Sequence, residues 1–417
     1  TNEIQRRRTF AIISHPDAGK TTLTEKLLLF GGAITVAGAV KSKKASRYAT
    51  SDFMEIERQR GISVATSVMG FECAGVRINL LDTPGHEDFC EDTYRTLTAV
   101  DSVVMVIDQV KGVEAQTIKL LEVCRMRHTP IMTFINKLDR EGRDPFELLD
   151  EIEKVLKIKV FPMSWPVGMG KDFKGVYSLF DKKMILFAPR GETLDNDVIE
   201  IKSLSDGKLD ELVGNYLADK LREDVAMIEG VYPSFSEKDY RDGTVTPVFF
   251  GSAVNNFGVR ELLECFMRLA PSPLPKLTDK GEVVPDAKGF SGFVFKIHAN
   301  MDPKHRNRIA FLRVCTGKFE RNARYYHVRH DKFFSYSSPT AFMAQDKSVI
   351  EEAFPGDIIG IPDTGSGNFK IGDTITEGDA FTYMGIPRFS PEIFRYLVNK
   401  DPMRAKQLEK GIDQLID

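Results

Sequence analysis

Strand-length apolar runs alternate with amphipathic stretches through the first half of the chain, and this alternation limits the possible folds more than any other feature. The apolar runs are Phe10–Ile13, Val76–Leu81, Val103–Ile107 and Pro130–Ile135, and helical periodicity occupies Thr21–Phe30, Asp88–Ala99 and Ala115–Arg127. Strands that alternate with helices form a mainly parallel sheet with helices on both faces. The sequence therefore predicts an N-terminal α/β domain.

Two local patterns refine this prediction. Ser63–Cys73 and Val76–Leu81 are joined by Ala74-Gly75, which indicates an antiparallel hairpin. Asp144 followed by Pro145 is typical of a helix start, so we expect a capped helix from there to about Leu156.

The remaining chain divides at a proline-rich stretch, Pro271-Ser-Pro-Leu-Pro275, which is typical of a linker. Before it, Thr246–Gly251 and Val259–Leu269 predict one more strand and one more helix. After it, short alternating runs with glycine turns predict a β-barrel. The expected domains are residues 1–275, with an irregular insertion at about 162–243, a β-barrel at 276–380, and the opening of a small third α/β domain, which ends early, at 381–417.

Composition excludes several classes of protein. The formal net charge of −3 over 417 residues gives no global attraction to nucleic acid, so any RNA contact must come from a local basic surface. The five cysteines form no CxxC pair, which favours reduced thiols and a cytoplasmic location. No apolar run approaches the length of a membrane span, and we expect no membrane partner and a monomer.

A phosphate-binding loop is predicted at Ser14-His15-Pro16-Asp17-Ala18-Gly19-Lys20-Thr21-Thr22, between an apolar strand and a helix. Successive backbone N–H groups at a helix N-terminus bind anions, and Gly19 lets the backbone approach the phosphates. Lys20 is expected to reach the β- and γ-phosphates, and the Thr21 hydroxyl to bind Mg²⁺. The loop begins with Ser14 where the GxxxxGK[ST] pattern has glycine.

A second loop, Asp82-Thr-Pro-Gly85-His86, follows the apolar strand that ends at Leu81. Asp82 is expected to hold Mg²⁺ and the Gly85 amide to meet the γ-phosphate, with a peptide that reorients when that phosphate leaves. His86 is the predicted catalytic residue, because a side chain here can orient the attacking water. Ser63, in Arg60-Gly-Ile-Ser63, is the third expected Mg²⁺ ligand.

The predicted base-binding residues follow the two later strands. The Asp139 carboxylate can accept two hydrogen bonds from N1 and N2 of guanine, which adenine does not offer. Asn136 is expected to tie this loop to the phosphate loop, and the Lys137 stem to cover the base. Ser252 and Ala253 are expected to present backbone donors to guanine O6. Four such loops in order predict a GTP site, whereas an ATP-dependent kinase or transporter would leave Asn136–Asp139 unexplained.

These motifs resemble those of the translational GTPases, and within that family the chain is most similar to bacterial peptide chain release factor 3. The resemblance extends to Asp52–Ser63, Pro247–Gly258, Ala353–Ile359 and Gly385–Phe394, and so covers nearly the whole chain. It implies a P-loop GTPase domain, a β-barrel and a third domain. It also implies GTP hydrolysis on the ribosome with Mg²⁺ as cofactor, GDP as product, and removal of the stop-codon-reading release factors after peptide release.

The chain departs from the elongation-factor pattern at two positions, because Ser63 and Pro16 stand where those factors usually have threonine and an aliphatic residue.

Two alternatives to the expected function remain open. A translocating factor like elongation factor G, or a module that binds GTP without hydrolysing it, would share the nucleotide site. The basic residues of Lys304–His330 fit either a surface that faces ribosomal RNA or the solvated side of a barrel.

Overall fold

The computed structural model describes residues 2–34, 66–86, 90–186, 198–201, 203–232, 234–299, 308–343, 346–363, 369–387, 389 and 394–416. The chain divides into two compact units. The N-terminal unit comprises Arg8–Thr93 and Val100–Ser272, and the C-terminal unit comprises Thr1–Arg7, Tyr94–Ala99 and Pro273–Asp417. One of the junctions between the units in the sequence, at residues 272 and 273, falls within the predicted linker Pro271–Pro275.

The strands described in the first 272 residues are β1 (Arg7–Ser14), β2 (Ser67–Cys73), β3 (Val76–Asp82), β4 (Ser102–Asp108), β5 (Ile131–Asn136), β6 (Lys159–Pro162), β7 (Ser164–Val167), β8 (Gly175–Ser178), β9 (Lys183–Leu186), β10 (Val198–Glu200) and β11 (Val245–Phe250). The main sheet of this unit has the order β2-β3-β1-β4-β5-β11-β6. Neighbours from β1 through β4, β5 and β11 to β6 run parallel. The predicted mainly parallel sheet is confirmed.

The hairpin of β2 and β3 is the antiparallel exception that the sequence predicted. Its register runs from Ser67 opposite Asp82 to Cys73 opposite Val76. Ala74 and Gly75 both have positive φ, 48° and 78°, and a two-residue turn of this kind matches the twist of the flanking strands.

The described helices are α1 (Asn2–Gln5), α2 (Lys20–Phe30), α3 (Cys90–Thr96), α4 (Ala115–Met126), α5 (Pro145–Leu156), α6 (Gly207–Val213), α7 (Asn215–Val231), α8 (Glu237–Arg241), α9 (Val259–Leu269) and α10 (Ala405–Ile416). Helix α5 begins as predicted, because the Asp144 side chain accepts hydrogen bonds from the backbone N–H groups of Phe146 and Glu147. None of the described helices is long and apolar enough to cross a membrane.

The stretch at about 162–243 differs from the irregular insertion that the sequence predicted. Strands β7 to β10 form a separate antiparallel sheet in the order β10-β9-β8-β7, and α6 to α8 follow. The buried Trp165 on β7 donates from Nε1 to Oδ2 of Asp224 on α7, at 2.9 Å. These strands have only three or four residues, too few to display a recognisable period. Residues 187–197 lie outside the described part.

The strands of the C-terminal unit are β12 (Lys276–Thr278), β13 (Gly281–Val283), β14 (Ser291–Ala299), β15 (Arg308–Thr316), β16 (Phe319–Glu320), β17 (Arg324–His327), β18 (Lys332–Ser335), β19 (Thr340–Met343), β20 (Asp346–Val349), β21 (Glu352–Ala353), β22 (Ile358–Asp363) and β23 (Thr374–Thr376). Its main sheet has the order β18-β17-β23-β14-β15-β22-β19, with β20 paired to β19. All these pairs are antiparallel, and the sheet curls into a half-barrel, as predicted. Its core includes Phe290, Leu312, Phe319, Tyr325 and Phe369.

Candidate functional site

Three of the predicted loops follow strands β1, β5 and β11, which run in the same direction in the N-terminal sheet. The loops after parallel strands emerge at one edge of a sheet, where open α/β sheets bind ligands. The structure brings the loops at Ser14–Gly19, Asn136–Asp139 and Gly251–Ala253 into mutual contact through side-chain hydrogen bonds.

The phosphate loop has backbone conformations that favour glycine and small residues. Gly19 caps α2 with φ of 95°, and Asp17 has φ of 66°. A Cβ atom added to Gly19 would lie 2.3 Å from Nδ2 of Asn136, so no other residue fits without movement. The Ser14 side chain makes a local hydrogen bond within this loop, because its Oγ donates to the carbonyl oxygen of His15 at 2.8 Å.

Asn136 joins three segments, as the sequence predicted for two of them. Its Nδ2 donates to the carbonyl oxygen of Ala18 at 2.8 Å. Its Oδ1 accepts from the backbone N–H groups of Lys137 and Ala253, both at 2.9 Å. Because Asn136 is buried, these bonds are shielded from water and fix the two loops relative to the phosphate loop.

Lys137 makes a second link to the phosphate loop. Its Nζ donates to the carbonyl oxygen of Asp17 and to Oδ2 of Asp108, both at 2.6 Å. Burial alone would raise the pKa of Asp108, but the hydrogen bond from Lys137 and the backbone N–H of Val110 hold that pKa below its usual range. Asp108 was not among the predicted site residues, although its position as the last residue of β4 is a signal that could have identified it.

The predicted guanine-selecting carboxylate is oriented by the loop after β11. Ser252 donates from Oγ to Oδ1 of Asp139 at 2.5 Å, and Asn255 donates from Nδ2 to the Ser252 Oγ at 2.9 Å. Asp139 is half-buried, so this contact leaves one side of the carboxylate open to a ligand. Only a backbone role was predicted for Ser252, and no role was predicted for Asn255.

Lys20 and Asp82 form an ion pair between the phosphate loop and the end of β3, and both side chains are buried. Within the described residues, Oδ2 of Asp82 has no hydrogen-bond partner. A buried, unsatisfied carboxylate oxygen costs free energy unless a cation or donor satisfies it. Magnesium prefers oxygen ligands. With the hydroxyl of Thr21 on the first turn of α2, these residues fit the predicted Mg²⁺ site.

Most of the remaining predicted residues lie in or beside the phosphate loop. Gly85 packs on the phosphate loop, where an added Cβ would lie 3.6 Å from the Ser14 carbonyl oxygen. His86 follows it and is half-buried. The ring of His15 is fully buried, and burial lowers its pKa, so only its backbone is available to a phosphate. Ser63 lies outside the described residues. Pro16 and Thr22 are half-buried members of the loop and its helix.

The described part of the basic segment, residues 308–330, is largely engaged within its own unit. Arg313 is 1% exposed and donates to the carbonyl oxygen of Gly356 at 2.8 Å. Arg321 pairs with Glu351 at 2.7 Å, and Arg329 pairs with Asp373. These partners neutralise or bury part of the charge. Arg313 therefore belongs neither to a surface that faces ribosomal RNA nor to the solvated side of a barrel, and both interpretations stay open for the other described basic residues. Lys304 and Arg306 lie outside the described residues.

Comparison with known families agrees with this geometry. The family described as elongation factor Tu GTP binding domain matches residues 5–272, and elongation factor G domain 2 matches residues 289–378. The chain belongs to the family defined by the elongation factor Tu GTP binding domain. It therefore contains a GTP-binding domain of the translational GTPase family.

A solved structure shares the fold over nearly all of this chain. The crystal structure of a protein from Thermus thermophilus superposes with a TM-score of 0.74 at 23% sequence identity. The match covers 99% of this chain and 61% of the other protein, so this chain spans less than two thirds of the length of that structure.

Proposed function

We propose that this chain is the GTPase part of a translation termination factor of the release factor 3 type. In this proposal the factor hydrolyses GTP on the ribosome and promotes dissociation of the stop-codon-reading release factors after peptide release. The observation that carries the assignment within the family is the resemblance of the segment Ala353-Phe-Pro-Gly-Asp-Ile-Ile359 to that factor. The segment is ordered by Asp357, whose Oδ2 accepts hydrogen bonds from Phe354 N and Arg7 Nε.

The proposed roles follow from the loop contacts. The backbone from His15 to Thr22 surrounds the phosphates, with Gly19 allowing close approach and Lys20 supplying positive charge. Asp139, oriented by Ser252, accepts hydrogen bonds from the guanine edge. Both predicted O6 donors are engaged within the protein, because the Ala253 amide donates to Asn136 and the Ser252 amide donates to the carbonyl oxygen of Phe257. Recognition of O6 by either amide would require that bond to be exchanged or shared.

Magnesium would be held by Thr21, Asp82 and Ser63, and it would neutralise charge on the phosphates. Lys20 contributes to the same charge balance, because its ion pair with Asp82 can be exchanged for a phosphate oxygen when GTP binds. Gly85 places a backbone amide beside the phosphate loop. His86 is proposed to orient the attacking water.

Ribosomes paused at a stop codon, carrying a fluorescent release factor and a released peptide, provide the test. Addition of the protein with GTP should accelerate loss of the fluorescent factor, and GDP should not. If the protein instead moves tRNA and messenger RNA by one codon, the translocation alternative is correct. Absence of phosphate release with ribosomes and GTP would favour the non-hydrolysing module.

His86→Ala tests the hydrolysis step. Ribosome-stimulated phosphate release in a single turnover should fall at least about a hundredfold, by analogy with loss of a group that orients the transition state. GTP affinity should remain within about threefold, because the residue is not proposed to hold ground-state GTP. An unchanged hydrolysis rate would remove His86 from the catalytic role.

A further inference from the structure

The C-terminal unit contains a cavity of about 230 Å³ beside β18 and β22. Its walls come from the β17 end, from β18 and the loop after it, and from β22, and they include His327, Phe334, Tyr336, Ile361, Asp363 and Phe369. Pockets for drug-sized ligands are larger, about 300–1,000 Å³. The volume therefore suits one side chain or a similarly small group.

Three side chains in the cavity wall, Asp363, Tyr336 and His327, have buried polar atoms that lack a hydrogen-bond partner in the described chain. Asp363 is 4% exposed and Tyr336 is 9% exposed. Oδ2 of Asp363 accepts from the backbone N–H of Phe369 at 3.3 Å, but its Oδ1 has no partner within the described chain, and neither has Oη of Tyr336. Buried polar atoms in folded proteins are nearly always satisfied, so these two oxygens indicate a site for a hydrogen-bond donor.

The two carboxylates near the cavity differ in their partners, and the cavity wall also contains His327 and His330. A neighbouring carboxylate, Asp373, is held by Arg329 through contacts of 2.7 and 2.9 Å, and Nε2 of His327 lies 3.2 Å from it. Burial opposes its ionisation, but the contacts with His327 and Arg329 keep its pKa at about 2. Asp363 has no ion-pair partner in the described part of the chain. Burial, and then the charges of Asp373 and Asp363, raise the pKa of Tyr336.

Aromatic rings line the same cavity. Phe334 and Phe369 contribute their rings, and the centroids of Tyr336 and Phe369 lie 5.8 Å apart. The face of an aromatic ring attracts a cation, more strongly when water is excluded. An unpaired carboxylate, a phenol oxygen and aromatic walls together favour a cationic ligand.

We infer that this cavity binds the guanidinium group of an arginine side chain presented by a protein partner. A planar guanidinium stacks on aromatic rings, carries five N–H donors for the unsatisfied oxygens, and is less strongly hydrated than an ammonium group. A lysine would offer a smaller, more hydrated charge. An uncharged nucleobase could fill the volume, but it would leave the buried Asp363 charge uncompensated.

Binding of capped arginine, Nα-acetyl-L-arginine methylamide, to the full chain provides the test, with titration followed by NMR. Capped arginine should bind saturably. Capped citrulline, which has the same shape without the charge, should bind at least about tenfold more weakly, because hydrogen bonds between charged groups are the stronger ones. Capped lysine should bind more weakly than arginine, and adenosine should not bind.

Two variants assign the binding to this cavity. Asp363→Asn removes the charge and retains an oxygen for the Phe369 N–H, and it should weaken arginine binding at least about tenfold. Asp379→Asn changes an exposed aspartate of the same unit and should leave binding unchanged. If Asp363→Asn fails to fold, Tyr336→Phe replaces it, because loss of an unpaired hydroxyl should weaken binding without unfolding the chain.

Several outcomes would overturn the inference. Equal binding of arginine and citrulline would mean that the cavity recognises shape and not charge. Binding of adenosine in preference to arginine would identify a base pocket. Absence of binding by every probe, or arginine binding that Asp363→Asn and Tyr336→Phe both leave unchanged, would exclude this cavity as a guanidinium site.

Discussion

The nucleotide loops of the N-terminal unit and the cavity of the C-terminal unit treat their buried polar groups differently. In the loops, side chains of one segment bond to polar groups of another. The Asn136 side chain bonds to the backbone of Ala18 and Ala253, and the Ser252 hydroxyl bonds to the Asp139 carboxylate. In the cavity wall, Oδ1 of Asp363 and Oη of Tyr336 have no such partner within the described residues.

This difference separates two ways of building a site. Hydrogen bonds between loops fix the backbone in position, so the loops bind by a geometry that the protein already holds. Unsatisfied groups in a wall instead retain their bonding capacity for an incoming ligand, at a cost in stability. In the N-terminal unit, Oδ2 of Asp82 and the ring nitrogens of His15 follow the second pattern, and Asp82 lies at the position expected for a metal ligand.

Replacing Asn136 with alanine should have the largest effect. The change leaves the Ala18 carbonyl and the N–H groups of Lys137 and Ala253 without their partner, and each buried unsatisfied group costs about 1–3 kcal/mol. GDP affinity measured by calorimetry should fall at least about a hundredfold, and the free energy of unfolding by about 3 kcal/mol or more.

Asn255→Ala is the matched control, since it removes only the bond to the Ser252 Oγ. It should lower the free energy of unfolding by about 1 kcal/mol or less. Equal losses in the free energy of unfolding for the two variants would mean that the Asn136 hydrogen bonds do not stabilise the arrangement of the loops. The difference described between the loops and the cavity would then not hold.

Asp139→Asn tests recognition of the base and should have the next largest effect. The amide cannot accept both hydrogen bonds from guanine N1 and N2, and charge-assisted bonds contribute about 1.5–3 kcal/mol. GTP affinity should fall about tenfold to a hundredfold, while affinity for xanthosine triphosphate should rise. Because the same variant serves both measurements, misfolding cannot imitate the result. Unchanged GTP affinity would contradict the guanine assignment.

Gly19→Ala and Gly85→Ala form a matched pair within the loops. At Gly19 the backbone has φ of 95° and the new Cβ would meet Asn136 Nδ2 at 2.3 Å, so the free energy of unfolding should fall by about 1–3 kcal/mol. At Gly85 the nearest atom would be 3.6 Å away, an ordinary contact, so the change should stay within about 0.5 kcal/mol. Urea denaturation measures both, and equal losses would contradict the close packing of Asn136 on Gly19.

The loops could be predicted from the sequence because their chemistry is local. Gly19, Lys20 and Thr21 are consecutive, and Asn136 to Asp139 follow one strand directly. The cavity could not be predicted in this way. Tyr336 and Asp363 lie on different segments, and only the packing of the curled sheet decides that their oxygens remain unsatisfied. The four-stranded sheet of β7 to β10 was missed for a related reason, since its short strands are ordered by one another.

Tyr336→Phe should have the smallest effect on stability. Whether it raises or lowers the free energy of unfolding tests the difference between the cavity and the nucleotide loops most directly. The Tyr336 hydroxyl is buried without a partner in the described chain, so its removal ends a desolvation cost and should leave the free energy of unfolding unchanged or higher by up to about 1 kcal/mol.

Tyr325→Phe is the matched control in the same core. The Tyr325 hydroxyl accepts from Glu320 N at 2.6 Å and donates to Glu320 O at 3.1 Å, so that variant should lose about 1–3 kcal/mol. Urea denaturation of both variants at neutral pH measures the difference. A loss in Tyr336→Phe as large as that in Tyr325→Phe would mean that the Tyr336 hydroxyl is satisfied in solution, and the cavity would then resemble the loops.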